Sequence, residues 1–268
     1  MTAKKGKRKI ERVMGVFPEE RRTFILNILN ETGRCQVIDL ARKLGVSEVT
    51  VRQDLDLLEK QGLLNRTHGG AILIAKRGFE RSFNVEETAF QEEKSRIGQA
   101  AAELVSNGET IILDVGTTVT EVARSLQMRK GLTVVTNALN IAMLLEEAPE
   151  ITVLVTGGTL RAKQHSLVNP FGQFLLERVQ VDIAFVGANG INAEHGITNV
   201  NMAEAEMKTF FLKAARRRIM VADSSKVGNV ALAKVADLQD IDMLITDEQA
   251  DPEEVARLKE KGLKIKLV

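Results

Sequence analysis

The clearest hydrophobic pattern in the chain lies at residues 46–62. Apolar residues recur there at helical spacing, at Val51, Leu55 and Leu58. Ser47 precedes this stripe and belongs to the residue types that cap helix N-termini, whereas a glycine, such as the one at position 62, commonly follows a helix C-terminus. The spacing predicts an amphipathic helix whose other face is polar.

Two further helices are predicted before it. Pro18 suits the first turn of a helix, and the apolar residues after it keep a three-to-four spacing up to Gly33. Residues 37–44 then show the periodicity of a shorter helix, and Gly45 supplies a tight turn before the helix at residues 46–62. Two helices joined by such a turn are typical of a helix-turn-helix motif.

A β-hairpin is predicted after the third helix. Residues 63–67 and 71–74 are short apolar-rich runs that are joined across a His-Gly-Gly sequence. A helix-turn-helix motif followed by a hairpin is a winged helix, and we predict this domain for residues 18–75.

From residue 92 onward, short β-branched runs alternate with helix-length segments. Strands are predicted at residues 110–113, 132–136, 151–156, 181–186, 218–222, 243–246 and 263–268. Helices are predicted from about residue 92 to Gly108 and at residues 119–127, 139–147, 203–215 and 252–261. Near-continuous apolar strands that alternate with helices predict an α/β fold at residues 92–268, with a Rossmann-like parallel sheet covered on both faces. Residues 76–91 lose this periodicity and are predicted to be a linker.

The charges are divided unevenly between the two predicted domains. Residues 1–80 carry 16 Lys and Arg against 10 Asp and Glu, and the rest of the chain carries 21 against 26. This asymmetry favours a DNA-binding module joined to a sensing module, because only the former must face phosphates. A solvated basic surface is the alternative. Residues 1–17 are rich in lysine and arginine and are predicted to be a flexible arm whose basic side chains, such as Lys9, add phosphate contacts.

Composition narrows the class of protein further. Hydrophobic residues make up 44% and charged residues 27% of the 268 residues, as in globular proteins. No apolar run approaches the ~20 residues of a membrane span, and no signal peptide is recognisable, so we predict a cytoplasmic protein. A single cysteine excludes an intrachain disulfide, and the three histidines lack zinc-site spacing. We predict neither a metal nor a cofactor.

The polar face of the helix at residues 46–62 carries the candidate DNA contacts. Thr50 and Gln53 lie one turn apart, opposite the apolar stripe, and Arg52 flanks them. Hydroxyl, amide and guanidinium groups can hydrogen-bond to base edges and phosphates in a major groove. The predicted DNA-binding residues are Ser47, Thr50, Arg52, Gln53, Arg66 and His68. The alternative is that the short helices and the hairpin form a packed subdomain without a DNA-binding role.

Glycines and small hydroxyl residues follow directly after five of the predicted strands. Since ligands of open α/β sheets bind beyond the carboxyl ends of the strands, these loops are the candidate effector site. The loop at residues 114–118 combines a glycine and two threonines with a predicted helix N-terminus, which can hold a phosphate. The predicted effector-binding residues are Asp114, Gly116, Thr117, Thr118, Asn137, Gly157, Gly158, Asn189 and Lys226. For any single loop, the alternative is a glycine that only forms a turn.

Three stretches carry a resemblance to a known family. They read Ser-Glu-Val-Thr-Val-Arg-Gln-Asp-Leu from Ser47, Leu-Glu-Lys-Gln-Gly from Leu58 and Arg-Thr-His-Gly-Gly-Ala from Arg66. The chain resembles the DeoR family of bacterial repressors of sugar metabolism. Residues 92–268 resemble the C-terminal sensor of that family, whose fold is similar to ribose-5-phosphate isomerase.

The resemblance implies a transcriptional repressor of a sugar-catabolism operon, with a phosphorylated sugar as its effector. One reading helix contacts only a few base pairs, and linked half-sites increase affinity. We therefore predict that the protein binds duplex operator DNA as a homo-oligomer, either a dimer or a tetramer.

An isomerase-like fold also raises an enzyme hypothesis, in which carboxylates act as acid and base on a sugar phosphate. Where such isomerases carry Asp-Gly-Ala-Asp-Glu, residues 186–190 read Val-Gly-Ala-Asn-Gly. This loop has no titratable group, so we predict no enzyme activity and no catalytic residues. A third hypothesis is an architectural DNA-binding protein without a ligand. It does not explain why glycines and small hydroxyl residues follow the strands of the second domain.

Overall fold

The structure of the protein is a computed structural model that describes residues 17–32, 34–61, 63–67, 69–73 and 82–268. Several predictions concern residues outside these ranges: the basic arm up to residue 16, Gly33, Gly62, His68 and the first part of the predicted linker. The chain divides into two compact units, Met1–Lys76 and Arg77–Val268.

The first unit is a winged helix-turn-helix. Its elements are α1 (Pro18–Thr32), β1 (Arg34–Gln36), α2 (Val37–Leu44), α3 (Glu48–Lys60), β2 (Leu64–Thr67) and β3 (Gly70–Leu73). The predicted hairpin of β2 and β3 is confirmed. The sheet also has a third strand, because β1 pairs antiparallel with β3. The sequence did not predict β1, since three residues are too few to show an alternating pattern.

An apolar core joins the three helices of the first unit to the wing. Its buried members are Ile25, Leu29, Val37, Leu40, Leu44, Val51, Leu55, Leu58, Leu64 and Ala71. The apolar stripe predicted from helical spacing is therefore confirmed as the buried face of α3. One buried ion pair crosses this core, because the Arg21 guanidinium of α1 donates to both carboxylate oxygens of Asp54 in α3.

The second unit contains twelve strands and seven α-helices among its described residues. The strands are β4 (Thr110–Leu113), β5 (Leu132–Thr136), β6 (Ile151–Val155), β7 (Thr159–Arg161), β8 (Ser166–Val168), β9 (Val181–Val186), β10 (Gly190–Asn192), β11 (Gly196–Asn199), β12 (Ala215–Val221), β13 (Ala233–Ala236), β14 (Met243–Thr246) and β15 (Ile265–Leu267). The helices are α4 (Phe83–Thr88), α5 (Gln91–Ala102), α6 (Thr117–Leu126), α7 (Leu139–Glu146), α8 (Phe171–Leu176), α9 (Met202–Ala214) and α10 (Pro252–Glu260).

Seven of these strands form one parallel sheet in the order β15-β14-β12-β9-β4-β5-β6. Alternate strand residues face opposite sides. Ile111 and Ile183 belong to a core with α5, α6 and α7, whereas Ile112 and Ala184 belong to another with α9 and α10. The predicted α/β fold with a doubly covered sheet is confirmed, and burial on both faces explains why its strands are apolar throughout.

Two smaller pieces were not predicted. Strands β7 and β8 form an antiparallel pair, and β10, β11 and β13 form a three-stranded antiparallel sheet. All five strands have only three or four residues, and most lie in segments rich in glycine and asparagine, which resemble loops.

The linker prediction is wrong for residues 83–91. Phe83–Thr88 is the helix α4, and α5 begins at Gln91. The Phe83 side chain is only 5% exposed, and its N–H donates to the Lys163 carbonyl oxygen at 2.9 Å. The sequence did not predict this helix for two reasons. Its segment has mixed charges, and a helix of six residues is too short to show a clear periodicity.

Candidate functional site

The exposed face of α3 carries most of the predicted DNA contacts. The helix begins at Glu48 because the Ser47 hydroxyl accepts a hydrogen bond from the Thr50 N–H. The two hydroxyls of Ser47 and Thr50 lie 2.9 Å apart, and Gln53, one turn further on, is exposed. Arg52 is also exposed, with a guanidinium nitrogen 3.2 Å from Glu48. This side of α3 therefore presents the hydrogen-bonding groups that a major groove can receive.

Arg66 belongs to the wing but is directed toward α3. Its backbone N–H donates to the Glu59 carboxylate at 2.8 Å. Its guanidinium donates to the Arg52 carbonyl oxygen at 3.1 Å and to the Asp56 carboxylate. These contacts attach β2 to α3. The predicted contact at His68 lies outside the described residues.

In the second unit, the predicted effector residues surround the point where the strand order reverses. β4 is the first strand of the large sheet along the chain; β5 and β6 extend from one side of it, and β9 lies on the other. In open α/β sheets, the place beyond the carboxyl ends of the strands at such a reversal is the usual ligand position. Asp114 follows β4, and its Oδ2 accepts a hydrogen bond from the Gly187 N–H, after β9, at 3.0 Å. We call this place the switch-point crevice.

The turn after β4 leads into the N-terminus of α6. Gly116 caps this helix at φ 140°, a conformation that L side chains rarely adopt. A Cβ atom placed on Gly116 would meet no heavy atom within 4 Å. Thr117 and Thr118 form the first turn, where backbone N–H groups have no intrahelical acceptor. Open space beside a helix N-terminus favours an anion.

Two polar side chains next to this turn are fully buried. Asp114 and Asn137 are each 0% exposed, and Asp114 Oδ1 and Asn137 Oδ1 have no hydrogen-bond partner among the described residues. The Asn137 amide nitrogen donates to the Leu167 carbonyl oxygen at 3.1 Å, which fixes the orientation of its side chain. Buried acceptors are rarely left unpaired, so both oxygens are suited to accept hydrogen bonds from a ligand or an ordered water.

The remaining predicted effector residues already have structural roles. Gly157 and Gly158 adopt positive φ angles, and a Cβ on Gly158 would lie 2.3 Å from the Val168 carbonyl oxygen, so the turn-forming alternative accounts for both glycines. Asn189 Oδ1 accepts a hydrogen bond from the Val200 N–H at 3.1 Å. Lys226 Nζ donates to the Glu86 carboxylate at 2.8 Å.

Two family models match the chain, one on each unit. The DeoR-like helix-turn-helix domain matches residues 21–77, and the DeoR C terminal sensor domain matches residues 89–248. The chain belongs to the DeoR family. The resemblance found in the three sequence stretches is thereby confirmed.

Curated DeoR-type relatives match along most of their length. The HTH-type transcriptional regulator GolR of Listeria innocua is 34% identical over 252 residues, which cover 94% of this chain and 99% of that protein. The HTH-type transcriptional repressor GlcR of Bacillus subtilis is 36% identical over 235 residues, which cover 87% of this chain and 89% of that protein. Both relatives are transcriptional regulators.

Solved structures show only a distant likeness. The ribose 5-phosphate isomerase A of Methanocaldococcus jannaschii has a TM-score of 0.40 and 19% identity over 52% of this chain and 55% of that chain. The sorbitol operon regulator SorC of Klebsiella pneumoniae has a TM-score of 0.38 and 14% identity over 91% of this chain and 100% of that chain.

The DeoR sensor unit also contains a buried polar network that the sequence did not predict. Lys208 of α9 is 3% exposed and donates to Asp114 Oδ2. One turn earlier on α9, Glu204 accepts hydrogen bonds from the Ser166 hydroxyl at 2.7 Å and from the Arg161 guanidinium. No sequence pattern indicates these pairs, because Lys208 and Asp114 are 94 positions apart and a helical lysine is usually solvated.

Burial raises the pKa of Asp114 above its usual range, although the Lys208 ammonium opposes this effect. One cation therefore does not fully compensate the desolvation of the carboxylate. A hydrogen bond donated to its second oxygen, Oδ1, would stabilise the charged form further. The switch-point crevice is thus suited to a ligand that carries hydroxyl donors.

A second buried lysine lies at the N-terminal end of the sensor unit. Lys94 of α5 is 1% exposed, and its Nζ donates to the Glu86 carbonyl oxygen of α4. Burial lowers the pKa of Lys94, while the carboxylates of Asp223 and Glu86 oppose this effect. Lys94 thereby connects α4 to the body of the DeoR sensor.

Metal-binding clusters and membrane-spanning helices are both absent from the described ranges. No group of three or more His, Cys, Asp or Glu side chains there is arranged to hold a metal ion. Within the same residues, no helix combines the length and the apolar surface needed to cross a membrane.

Proposed function

We propose that this DeoR-family protein represses transcription in the cytoplasm by binding duplex operator DNA through α3, and that a phosphorylated sugar in the switch-point crevice controls this binding. The observation that carries the proposal is the match of two DeoR family models, one to each unit. The repressor assignment is supported by the relative GlcR, which is named a transcriptional repressor. The target genes in this proposal serve sugar catabolism.

In the proposed DNA complex, the exposed face of α3 enters the major groove. Thr50 and Gln53 read base edges, and Ser47 and Arg52 contact the neighbouring backbone, because their side chains lie on the solvent side of the helix. Arg66 keeps the wing against α3 through Asp56 and the Arg52 carbonyl oxygen. We assign it to positioning the wing, in place of the direct DNA contact predicted from the sequence.

In the proposed effector complex, the phosphate lies at the N-terminus of α6. The N–H groups and hydroxyls of Thr117 and Thr118 bind it, and Lys226 supplies a countercharge. The sugar hydroxyls donate to Asp114 Oδ1 and Asn137 Oδ1, the two buried oxygens that have no partner among the described residues. Gly116, Gly157, Gly158 and Asn189 shape the surrounding loops.

An isomerase activity is not part of the proposal. The curated relatives GolR and GlcR are transcriptional regulators. The loop after β9 carries Asn189, whose side-chain oxygen is bonded to a backbone N–H, in place of a carboxylate that could move a proton.

A thermal-shift screen of sugar phosphates tests the effector site. A phosphorylated sugar should raise the melting temperature of the wild type and should have a much smaller effect on Thr117→Ala and Lys226→Ala. Ser125→Ala is the matched control, because it removes a hydroxyl further along α6, where it donates to the Glu121 carbonyl oxygen. Equal stabilisation of all variants would contradict the assignment of the site.

Gel-shift titration tests the DNA-binding part of the proposal. The protein should prefer a fragment near its own gene over random duplex, as a homo-oligomer whose stoichiometry follows from sedimentation of the complex. The sugar phosphate identified in the screen should release that fragment. Equal affinity for all duplexes would exclude a specific repressor.

A further inference from the structure

The helix α4 is held next to the proposed effector site by two lysines that both contact Glu86. Lys226 Nζ lies 2.8 Å from a Glu86 carboxylate oxygen, and both side chains are about one fifth exposed. Lys94 Nζ donates to the carbonyl oxygen of the same residue. Glu86 therefore presents a carboxylate to the lysine that we assign to the effector phosphate.

Other residues of α4 contact elements that border the same site. The Phe83 ring packs edge-to-face on His165, between β7 and β8, with the ring centroids 5.2 Å apart. Glu87 lies 3.7 Å from Arg124 of α6, the helix whose N-terminus is the proposed phosphate cradle. α4 thus bridges the β7–β8 turn, α6 and the segment that carries Lys226.

We infer that the Glu86 carboxylate is an internal competitor for the anion subsite, and that an incoming phosphate group displaces it from Lys226. The inference rests on the proposed function, which assigns Lys226 to the effector phosphate. Carboxylate and phosphate are both oxyanions that an ammonium group binds by charge-assisted hydrogen bonds. Two such anions at one ammonium repel each other, and phosphate carries the larger charge.

Displacement of Glu86 removes one of the contacts that hold α4. In sequence, only residues 77–82 separate α4 from the end of the first compact unit. A ligand regulates only through a difference in its affinity for two states. Competition with Glu86 supplies such a difference, because the ligand binds the state in which Glu86 has left Lys226.

Titration of the full-length chain with inorganic phosphate tests the competition. The variants are Glu86→Gln, Lys226→Gln and, as a matched control, Glu87→Gln, which makes the same charge change on the same helix. We expect Glu86→Gln to bind phosphate about three- to tenfold more tightly than the wild type, the range expected for loss of a partly exposed ion pair. Glu87→Gln should bind like the wild type, and Lys226→Gln should bind at least about tenfold more weakly.

Hydrogen exchange of the α4 amides provides a second readout. Phosphate should accelerate exchange at residues 83–89 of the wild type, whereas in Glu86→Gln exchange should already be faster and should respond little to phosphate. Binding that depends on Lys226 but leaves α4 exchange unchanged would overturn displacement.

The two proposals fail in different ways. If Glu86→Gln and Glu87→Gln bind phosphate equally, the competition is wrong, while the effector site is still judged by the sugar-phosphate screen. If Lys226→Gln binds phosphate as tightly as the wild type, or if neither the wild type nor Glu86→Gln binds it, the anion subsite itself is wrong and the competition with it.

Discussion

The two units present their candidate functional groups in opposite environments. In the first unit, Arg52 and Gln53 lie on the solvent side of a helix whose other face completes an apolar core. In the second unit, Asp114, Asn137 and Lys208 are almost completely buried at the ends of strands and on a packed helix. One unit displays its polar groups, and the other encloses them.

This difference decides what each residue contributes to stability. An exposed polar side chain keeps its hydration, so its removal hardly affects folding and mainly affects binding. A buried charge must be paired, because its desolvation costs several kcal/mol when the partner is lost. In the sensor unit, the residues proposed for ligand binding are therefore also residues on which the fold depends.

The largest effect is expected for Lys208→Met, which leaves Asp114 buried without its cation. We expect a loss of about 3–5 kcal/mol in the unfolding free energy of the sensor unit. Asp114 then has a folded pKa raised even further above the unfolded value. The contribution of Asp114 to stability is therefore greatest below the ordinary Asp pKa and falls as the pH rises toward the folded pKa. Urea denaturation followed by circular dichroism measures this, since the chain has no Trp or Tyr.

The double variant Asp114→Asn/Lys208→Met is the control for this experiment. It has no unpaired charge, so it should recover much of the lost stability and should lose the added dependence on pH. A double variant as unstable as Lys208→Met would contradict a buried charge as the cause.

A slightly smaller effect is expected for Asp54→Ala in the first unit. It removes the Asp54 carboxylate, which binds the Arg21 guanidinium in a pair whose side chains are 10% and 5% exposed. We expect a loss of about 3 kcal/mol in the unfolding transition of that unit. Asp39→Ala is the matched control, because Asp39 is 57% exposed and 3.9 Å from Arg42. If Asp54→Ala and Asp39→Ala lost similar amounts of unfolding free energy, burial of the ion pair would not be the cause of the loss.

Thr50→Ala and Gln53→Ala should act on DNA binding. Each should reduce discrimination at its own base positions by about 1–3 kcal/mol, because a side chain that reads a base edge is lost. Selection of bound duplexes from a random pool measures this preference. Lys60→Gln, at the exposed end of α3, is the control and should leave the selected sequence unchanged. If the alanine variants select the wild-type sequence, α3 does not read DNA.

The smallest effect on folding is expected for Arg52→Gln. Its exposed pair with Glu48 contributes only about 0.3–0.5 kcal/mol, so the melting temperature should hardly change. The slope of log affinity against log salt should become less steep by about one, as expected for one lost phosphate contact. An unchanged slope would indicate that Arg52 does not contact a phosphate.

Exposed and periodic features were predictable from the sequence. The cap at Ser47 and the buried stripe of α3 follow from local spacing, and the seven predicted strands agree with those of the parallel sheet to within three residues at each end. The sequence also indicated Asp114 and Asn137, because they directly follow strands. Their prediction required only the residues next to them along the chain.

Features that depend on distant contacts were not predictable. Lys208 has no distinguishing pattern on α9, and its role depends on Asp114, 94 positions away. The charge of Lys226 was visible, but its partner Glu86 lies 140 positions earlier, in the stretch interpreted as a linker. A pairing of this kind depends on tertiary packing, and the spacing of residues within a short stretch of sequence does not indicate it.

The pairing of β4 with β9 has a consequence for the order of events during synthesis. The Thr110 N–H donates to the Asp182 side chain, 72 positions later in the chain, and such long-range contacts slow folding. The ion pair between α1 and α3 spans only 33 positions and lies in the part of the chain that is made first. On the proposed function, a nascent copy completes its DNA-reading unit before β9 has been translated. Each new molecule therefore has a folded DNA-reading unit before its effector site is complete.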